Sequence, residues 1–229
     1  MSTNGGTTWA DISGANTTTL TLTNVQPSQN GYRYRLALSN AGCGTVNSNA
    51  ATLTVNPLPT VSLGLSPAGQ TQLRPGMLTT VTVISSPAGA SYQWFINGVA
   101  EPSITGSSYA VDAYHLGTYS VRVTDVNGCV STTAGVTFTA LPTSQLLVYP
   151  NPTSGAFYVT YYMPQLKTPV TVVVIDMMGR RIVERQALTT APYTRFDFSN
   201  SKLAAGVYII EFRNPGGDRL AAGQLVVVR

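Results

Sequence analysis

The sequence predicts an all-β protein of tandem antiparallel β-sandwiches, and three observations lead to that class. Short stretches of alternating β-branched and aromatic residues recur from one end to the other. Gly, Pro, Asn and Ser separate them at spacings of about 8–12 residues. No stretch has the apolar period of a helix, which excludes the strand–helix alternation of parallel βαβ units. With 229 residues, the chain accommodates two or three small cores.

Taken in order, the expected strands lie at residues 18–22, 32–38, 79–84, 91–96, 119–123, 157–161 and 170–175. An internal repeat organises the first two thirds. Trp9 precedes Tyr34 by 25 residues, and Trp94 precedes Tyr119 by 25. Asn30-Gly31-Tyr32-Arg33-Tyr34 in one copy corresponds to Leu116-Gly117-Thr118-Tyr119 in the other. Each copy continues through a Gly-Cys loop, at Cys43 and Cys129, into a Thr-rich strand at 51–55 and at 136–139.

A tryptophan on a middle strand, followed by a glycine-started tyrosine strand, resembles the immunoglobulin-like modules of long bacterial surface proteins. That resemblance implies that Trp9, Tyr34, Trp94 and Tyr119 anchor the module cores, the tryptophan between the sheets and the tyrosine at a strand corner. The expected domains are a partial module over 1–56, a whole module over 57–140 and a terminal sandwich over 141–229. The first copy starts at its tryptophan strand, so half a sandwich with an open apolar face is expected, and Met1 reads as a start inside a domain. The prolines of Asn56-Pro57-Leu58-Pro59 stop strand pairing and mark the join.

Charge excludes several function classes. Residues 1–140 hold Arg33, Arg35, Arg74 and Arg122 against Asp11, Glu101, Asp112 and Asp125, so the whole net charge of +4 lies in 141–229. There the basic residues stand singly between apolar strands, without the basic run of a nucleic-acid or membrane surface. No window reaches the roughly 18 apolar residues of a membrane span, and the first residues lack the basic and apolar parts of a signal peptide.

Nor is there a constellation for chemistry. His115 stands in Ala113-Tyr114-His115-Leu116-Gly117 with no local motif supplying a nucleophile and an orienting acid, so it reads as a turn residue. One His and two distant Cys do not make a zinc site, and no calcium loop, nucleophile elbow or phosphate-binding loop is present. No catalytic residue, metal ligand or cofactor is therefore expected. Equivalent loops on successive modules lie too far apart for a Cys43–Cys129 disulfide, so two free thiols are expected. Tyr92, Trp94, Tyr109 and Tyr114 could form a stacking platform for sugars, but alternation puts Tyr92 and Trp94 on one strand face, which favours the core.

The last part of the chain is the most specific. It opens with Leu146-Leu147-Val148-Tyr149-Pro150-Asn151-Pro152-Thr153-Ser154-Gly155, a strand running into a Pro and Gly turn. Asp176-Met177-Met178-Gly179 forms a tight hairpin with glycine at the positive φ. Leu203-Ala204-Ala205-Gly206-Val207-Tyr208 leads into a late strand, and Leu225-Val226-Val227-Val228-Arg229 closes the polypeptide. The runs 170–175 and 207–210 are apolar on both faces and so central, in a sandwich of seven antiparallel strands.

These features, in this order, resemble the type A C-terminal sorting domain of type IX secretion cargo. The resemblance implies a sorting signal in Pro150, Asn151, Pro152, Gly155, Asp176, Gly179, Gly206, Tyr208, Leu225, Val226, Val227, Val228 and Arg229. It implies export across the outer membrane of a Gram-negative bacterium, to the medium or the cell surface. The partners it implies are the secretion translocon, its C-terminal signal peptidase and surface lipopolysaccharide. Residues 140–145 are expected to be an open, polar, protease-accessible link. Three roles stay open for the modules: a stalk or adhesive surface, accessory modules of a secreted enzyme whose catalytic domain lies upstream, and a carbohydrate-binding module. The protein or glycan ligand is left unspecified.

Overall fold

A computed structural model of the chain describes residues 1–40, 42–199 and 201–228. It divides into two compact units: Met1–Thr60 with Ser85–Ser91 and Val123–Ser131, and Val61–Ile84 with Tyr92–Arg122 and Thr132–Arg229. Among the described residues, every regular element apart from a 3₁₀ turn at Pro27–Gln29 is a β-strand.

In the first unit, β1 (Arg33–Tyr34), β2 (Ala37–Asn40), β3 (Gly44–Asn47) and β4 (Ala51–Thr52) form two small antiparallel pairs, β1 with β4 and β2 with β3. Ser2 bridges to Arg33 through two backbone bonds, of 2.8 and 2.9 Å. Among the described residues of 1–58, Ser2 alone is buried. Leu38 is 61% and Val46 67% exposed, so these pairs enclose no core. The strand expected at 18–22 is irregular backbone. The stretch expected as one strand over 32–38 breaks at Arg35 and Leu36, where the Leu36 amide donates to Ser48 Oγ at 2.9 Å. The physical reason is common to both: β-propensity describes a fit to a pleated, half-buried surface, and 18–22 is exposed throughout while 32–38 is exposed except at Tyr32 and Tyr34.

The next strands are β5 (Thr60–Ser66), β6 (Gln72–Leu73), β7 (Leu78–Ser86), β8 (Gly89–Ile96), β9 (Val99–Glu101), β10 (Ser108–Asp112), β11 (Gly117–Asp125), β12 (Val130–Thr132) and β13 (Val136–Ala140). They build one sheet in the order β10-β7-β5 and another in the order β6-β13-β11-β8-β9, with β12 on β11. Alternation turns Thr79, Val81 and Val83 of β7 and Tyr119, Val121 and Val123 of β11 inward, and all are buried. Trp94 is fully buried, and its indole N–H donates to the Gly106 carbonyl at 2.8 Å. A chain of rings from Trp94 through Tyr109 and Tyr119 to Phe138, at centroid spacings of 6.2, 5.9 and 5.6 Å, fills the space between the sheets. The buried Tyr119 hydroxyl donates back to the His115 carbonyl at 2.5 Å, and burial pushes its pKa up to about 12.

The last strands are β14 (Leu147–Tyr149), β15 (Tyr158–Tyr162), β16 (Pro169–Asp176), β17 (Arg181–Leu188), β18 (Tyr193–Asp197), β19 (Gly206–Arg213) and β20 (Arg219–Val227). A sheet ordered β14-β15-β18 faces one ordered β17-β16-β19-β20, making an antiparallel sandwich. β16 and β19 are central, and Val172, Val173 and Val174 of β16 are fully buried. Phe157 and Phe198, stacked 4.9 Å apart, lie in the core with Phe212, Ile210 and Leu225.

Candidate functional site

The motif residues of the terminal sandwich gather at one end of it. Asp176 stands opposite Tyr208 across β16 and β19, Tyr208 stands opposite Leu225 across β19 and β20, and Gly206 stands opposite Val227. The loop between β14 and β15 opens at the same end, because β20 reaches it beside Thr153.

This loop clasps the free edge of β20. As an edge strand, β20 directs alternate backbone groups away from β19, at Gln224, Val226 and Val228. Asn151 takes two of them: its Nδ2 donates to the Gln224 carbonyl at 2.7 Å, and its Oδ1 accepts from the Val226 amide at 2.9 Å. Thr153 takes two more, through Thr153 N to Val226 O at 2.9 Å and Val228 N to Thr153 O at 2.8 Å. Thr153 is itself buried, and its hydroxyl donates to the Ala156 carbonyl at 2.5 Å and accepts from the Gly155 amide at 3.1 Å. Pro150 and Pro152 flank Asn151 and have no N–H to leave unpaired.

The hairpin between β16 and β17 is built by Asp176. Its Oδ1 accepts from the Met178 and Arg180 amides at 2.9 and 3.0 Å, and its Oδ2 accepts from Arg180 Nε at 2.8 Å. These bonds hold the carboxyl below its ordinary range, the Arg180 amide contributing most. Gly179 takes φ +80°, which other residues adopt with strain. Met177 and Met178 occupy the tip, 70% and 82% exposed. At the late-strand corner the Tyr208 hydroxyl donates to the Ala204 carbonyl at 2.9 Å, four residues back, as Tyr119 does to His115.

The terminal strand divides its side chains by face. Leu225 and Val227 are buried, Val226 is half-buried and Val228 is 46% exposed. The pleat turns only alternate side chains of the strand to the core. Arg229 lies outside the described residues.

The other residues singled out from sequence fall elsewhere. Trp9 is half-exposed and on no strand, with the Arg35 guanidinium 4.1 Å from its ring centroid, and Tyr34 in β1 is half-buried. Cys43 and Cys129 are free. His115 does have an acidic neighbour, which no sequence motif indicated: its Nδ1 lies 2.7 Å from Asp112 Oδ1. That oxygen also accepts the Tyr114 and His115 amides, at 2.9 and 3.1 Å, in an exposed turn. Among the described residues, no cluster of three or more His, Cys, Asp or Glu side chains forms that could hold a metal ion.

A second Asp-x-x-Gly turn, between β11 and β12, was not recognised in the sequence. Asp125 Oδ1 accepts from the Asn127 and Cys129 amides, both at 2.8 Å, reproducing the Asp176 pattern. Cys129 stands where Arg180 stands, and the buried Asp125 Oδ2 has no partner among the described residues. The signal was available as Asp125-Val126-Asn127-Gly128, at the same spacing as Asp176-Met177-Met178-Gly179.

Comparison with known proteins finds a match over the terminal sandwich. Residues 147–225 match the family model of the secretion system C-terminal sorting domain, and residues 1–57 match a domain of unknown function. None of the curated proteins matches the chain. Among solved structures, the chain is similar to dimeric latent PorU from Porphyromonas gingivalis, at 16% identity and a TM-score of 0.31 over 86% of this chain and 24% of that one. It is also similar to murine CEACAM1b, at 16% identity and TM-score 0.29 over 74% of this chain and 99% of that one. Chicken CNTN1 FN1-FN3 is similar at 13% identity and TM-score 0.29 over 86% of this chain and 75% of that one. The chain thus spans about a quarter of the PorU chain. Residues 147–225 thus carry a type IX sorting domain, the signal for export across the outer membrane to the cell surface or the medium.

Proposed function

We propose that the chain is a non-catalytic part of this exported protein, in which the immunoglobulin-like sandwich over 57–140 is a stalk or adhesive surface and 141–229 is the sorting unit. In this reading the translocon recognises the end of the sandwich where Asp176, Gly179, Gly206, Tyr208 and the strand from Leu225 meet the Pro150–Asn151–Pro152 loop. The observation that carries it is the clasp: Asn151 and Thr153 bind the outer edge of β20, so the loop and the terminal strand form one surface. The C-terminal signal peptidase and surface lipopolysaccharide are the further partners of this reading. Burial of Trp94 favours a core role over a sugar platform. The exposed His115–Asp112 turn has no hydroxyl or thiol bonded to its Nε2 among the described residues, which favours a structural role.

The test is export of a periplasm-targeted fluorescent protein fused ahead of the whole chain in a type IX-competent host. The parent fusion should reach the surface or medium, and the same fusion ending at Gly223 should stay in the periplasm. That truncation removes Leu225 and Val227, whose burial is worth about 3–6 kcal/mol together, a large share of the roughly 5–15 kcal/mol that holds a domain folded. Equal export of both fusions, or retention of both, refutes the assignment of the signal to this end.

A further inference from the structure

In an isolated antiparallel sandwich the outward face of each sheet meets water. The β14-β15-β18 sheet departs from this. Val159 and Phe196 point into the core, so alternation and register turn Tyr149, Tyr158, Thr160, Tyr162, Tyr193 and Arg195 outward. Thr160 is nevertheless fully buried and Tyr193 is 1% exposed.

The preceding sandwich supplies contacts to this face. The Tyr114 hydroxyl, just after β10, lies 2.5 Å from the Tyr149 hydroxyl. The Arg195 guanidinium sits 4.5 Å from the Tyr158 ring centroid and 6.0 Å from that of Tyr114. The Tyr193 hydroxyl donates to the Leu141 carbonyl. Tyrosines with one apolar face and one bonded hydroxyl, together with a stacked arginine, are the usual chemistry of a docked surface.

The joining stretch, expected from sequence to be open, is fastened at its start. Ala140 pairs in parallel with Leu73 at the edge of the sheet, and the Leu141 amide donates to the Leu73 carbonyl at 2.8 Å. Residues 142–146 lie between this fastening and β14, outside any strand. A protease must draw an extended stretch of backbone into its cleft, so cutting there requires the flanking bonds to open, and the rate follows the population of the open form.

We propose that the tyrosine–arginine face is a latch that docks the terminal sandwich on the one before it and, by pinning the chain on both sides, keeps the exposed and half-buried residues 142–146 from the extended form a protease needs until the two separate. It rests on these contacts alone, and stands or falls independently of which residues the translocon reads.

The test treats the full chain with subtilisin under native conditions and follows, by mass spectrometry, fragments whose new end lies within 142–146. Tyr114→Phe and Tyr149→Phe each remove the same hydroxyl contact, and each should raise the initial cleavage rate about five- to tenfold. The double variant should exceed neither single one, because one bond is lost in all three. Arg195→Ala should accelerate cleavage at least as much. Hydrogen exchange at the Val121 and Val173 amides reports whether both sandwiches stay folded. Should Arg195→Ala lose that protection, the two phenylalanine variants, which keep ring and packing, decide alone. Cleavage at the parent rate in both phenylalanine variants with both cores protected overturns the latch. So does a rate gain that multiplies in the double variant.

Discussion

Replacing Asn151 with alanine removes both side-chain bonds from the outer edge of β20 and leaves its core side chains untouched. The bonds lost are Nδ2 to Gln224 O at 2.7 Å and Val226 N to Oδ1 at 2.9 Å. Each is a neutral bond at an exposed position, worth about 0.5–1.5 kcal/mol net, so the pair contributes about 1–3 kcal/mol. Local opening at the end of β20 should therefore become about 5- to 150-fold more populated. Native-state hydrogen exchange reads this directly, because the Val226 amide loses its acceptor. Amides in the centre of β16, such as Val173, should keep their protection at low denaturant. Asn151→Asp sharpens the test: it retains an oxygen for the Val226 amide but sets a carboxylate against the Gln224 carbonyl. Its Val226 amide should stay better protected than in the alanine variant, while its urea midpoint still falls. Unchanged Val226 exchange in Asn151→Ala refutes the clasp. Loss of export in a chain whose β20 edge still exchanges as in the parent would place the role of Asn151 outside this bonding.

Three further outcomes are expected. Cys129→Arg should stabilise the sandwich around Asp125 by about 1–3 kcal/mol, because a guanidinium there can reach the buried Oδ2, which has no partner among the described residues, as Arg180 reaches Asp176; a lowered urea midpoint at unchanged m-value would show that it does not. Tyr208→Phe should cost about 0.5–1.5 kcal/mol through the lost bond to Ala204, without the cavity that an alanine would leave; a loss above about 3 kcal/mol would mean that the ring, too, has moved. The Asp176 and Asp197 carboxyls are held below their ordinary value of 3.8 by local amide donors, chiefly those of Arg180 and Ser199. Their contribution is complete above that value and is lost as pH falls through the lower folded values, so the thermal midpoint should drop in strongly acidic solution. Asp176→Asn should flatten that drop; an identical acid profile in the variant would exclude Asp176 as its source.

How much was legible follows from what each feature depends on. The all-β class and the seven-strand terminal sandwich were readable because alternation and turn residues are local: 170–175, apolar at every position but Thr171, had to be a strand covered on both faces, and it is central β16. Residues 18–22 alternate threonine and leucine in a strand-like way and form no strand, because a strand also needs a neighbour to pair with, and local pattern does not supply one. Asp112 beside His115 and the second Asp-x-x-Gly turn were written at short range and passed over, the first because its only mark is an i, i+3 spacing shared by many exposed turns.

By itself the sequence determined the strands of the terminal sandwich and the hairpin closed by Asp176 and Gly179, all encoded within a few residues of one another. Only the tertiary structure decided that Asn151 bonds to Gln224 and Val226, more than seventy positions away, and that Tyr114 meets Tyr149. The pleat also decided that Leu225 and Val227, but not Val228, enter the core. The physical reason is that a side chain's type states which bonds it can make, while its partners are set by register and by which sheet face is covered. Shifting β20 by a single residue would turn Leu225 to water and Val226 inward without changing a letter of the sequence.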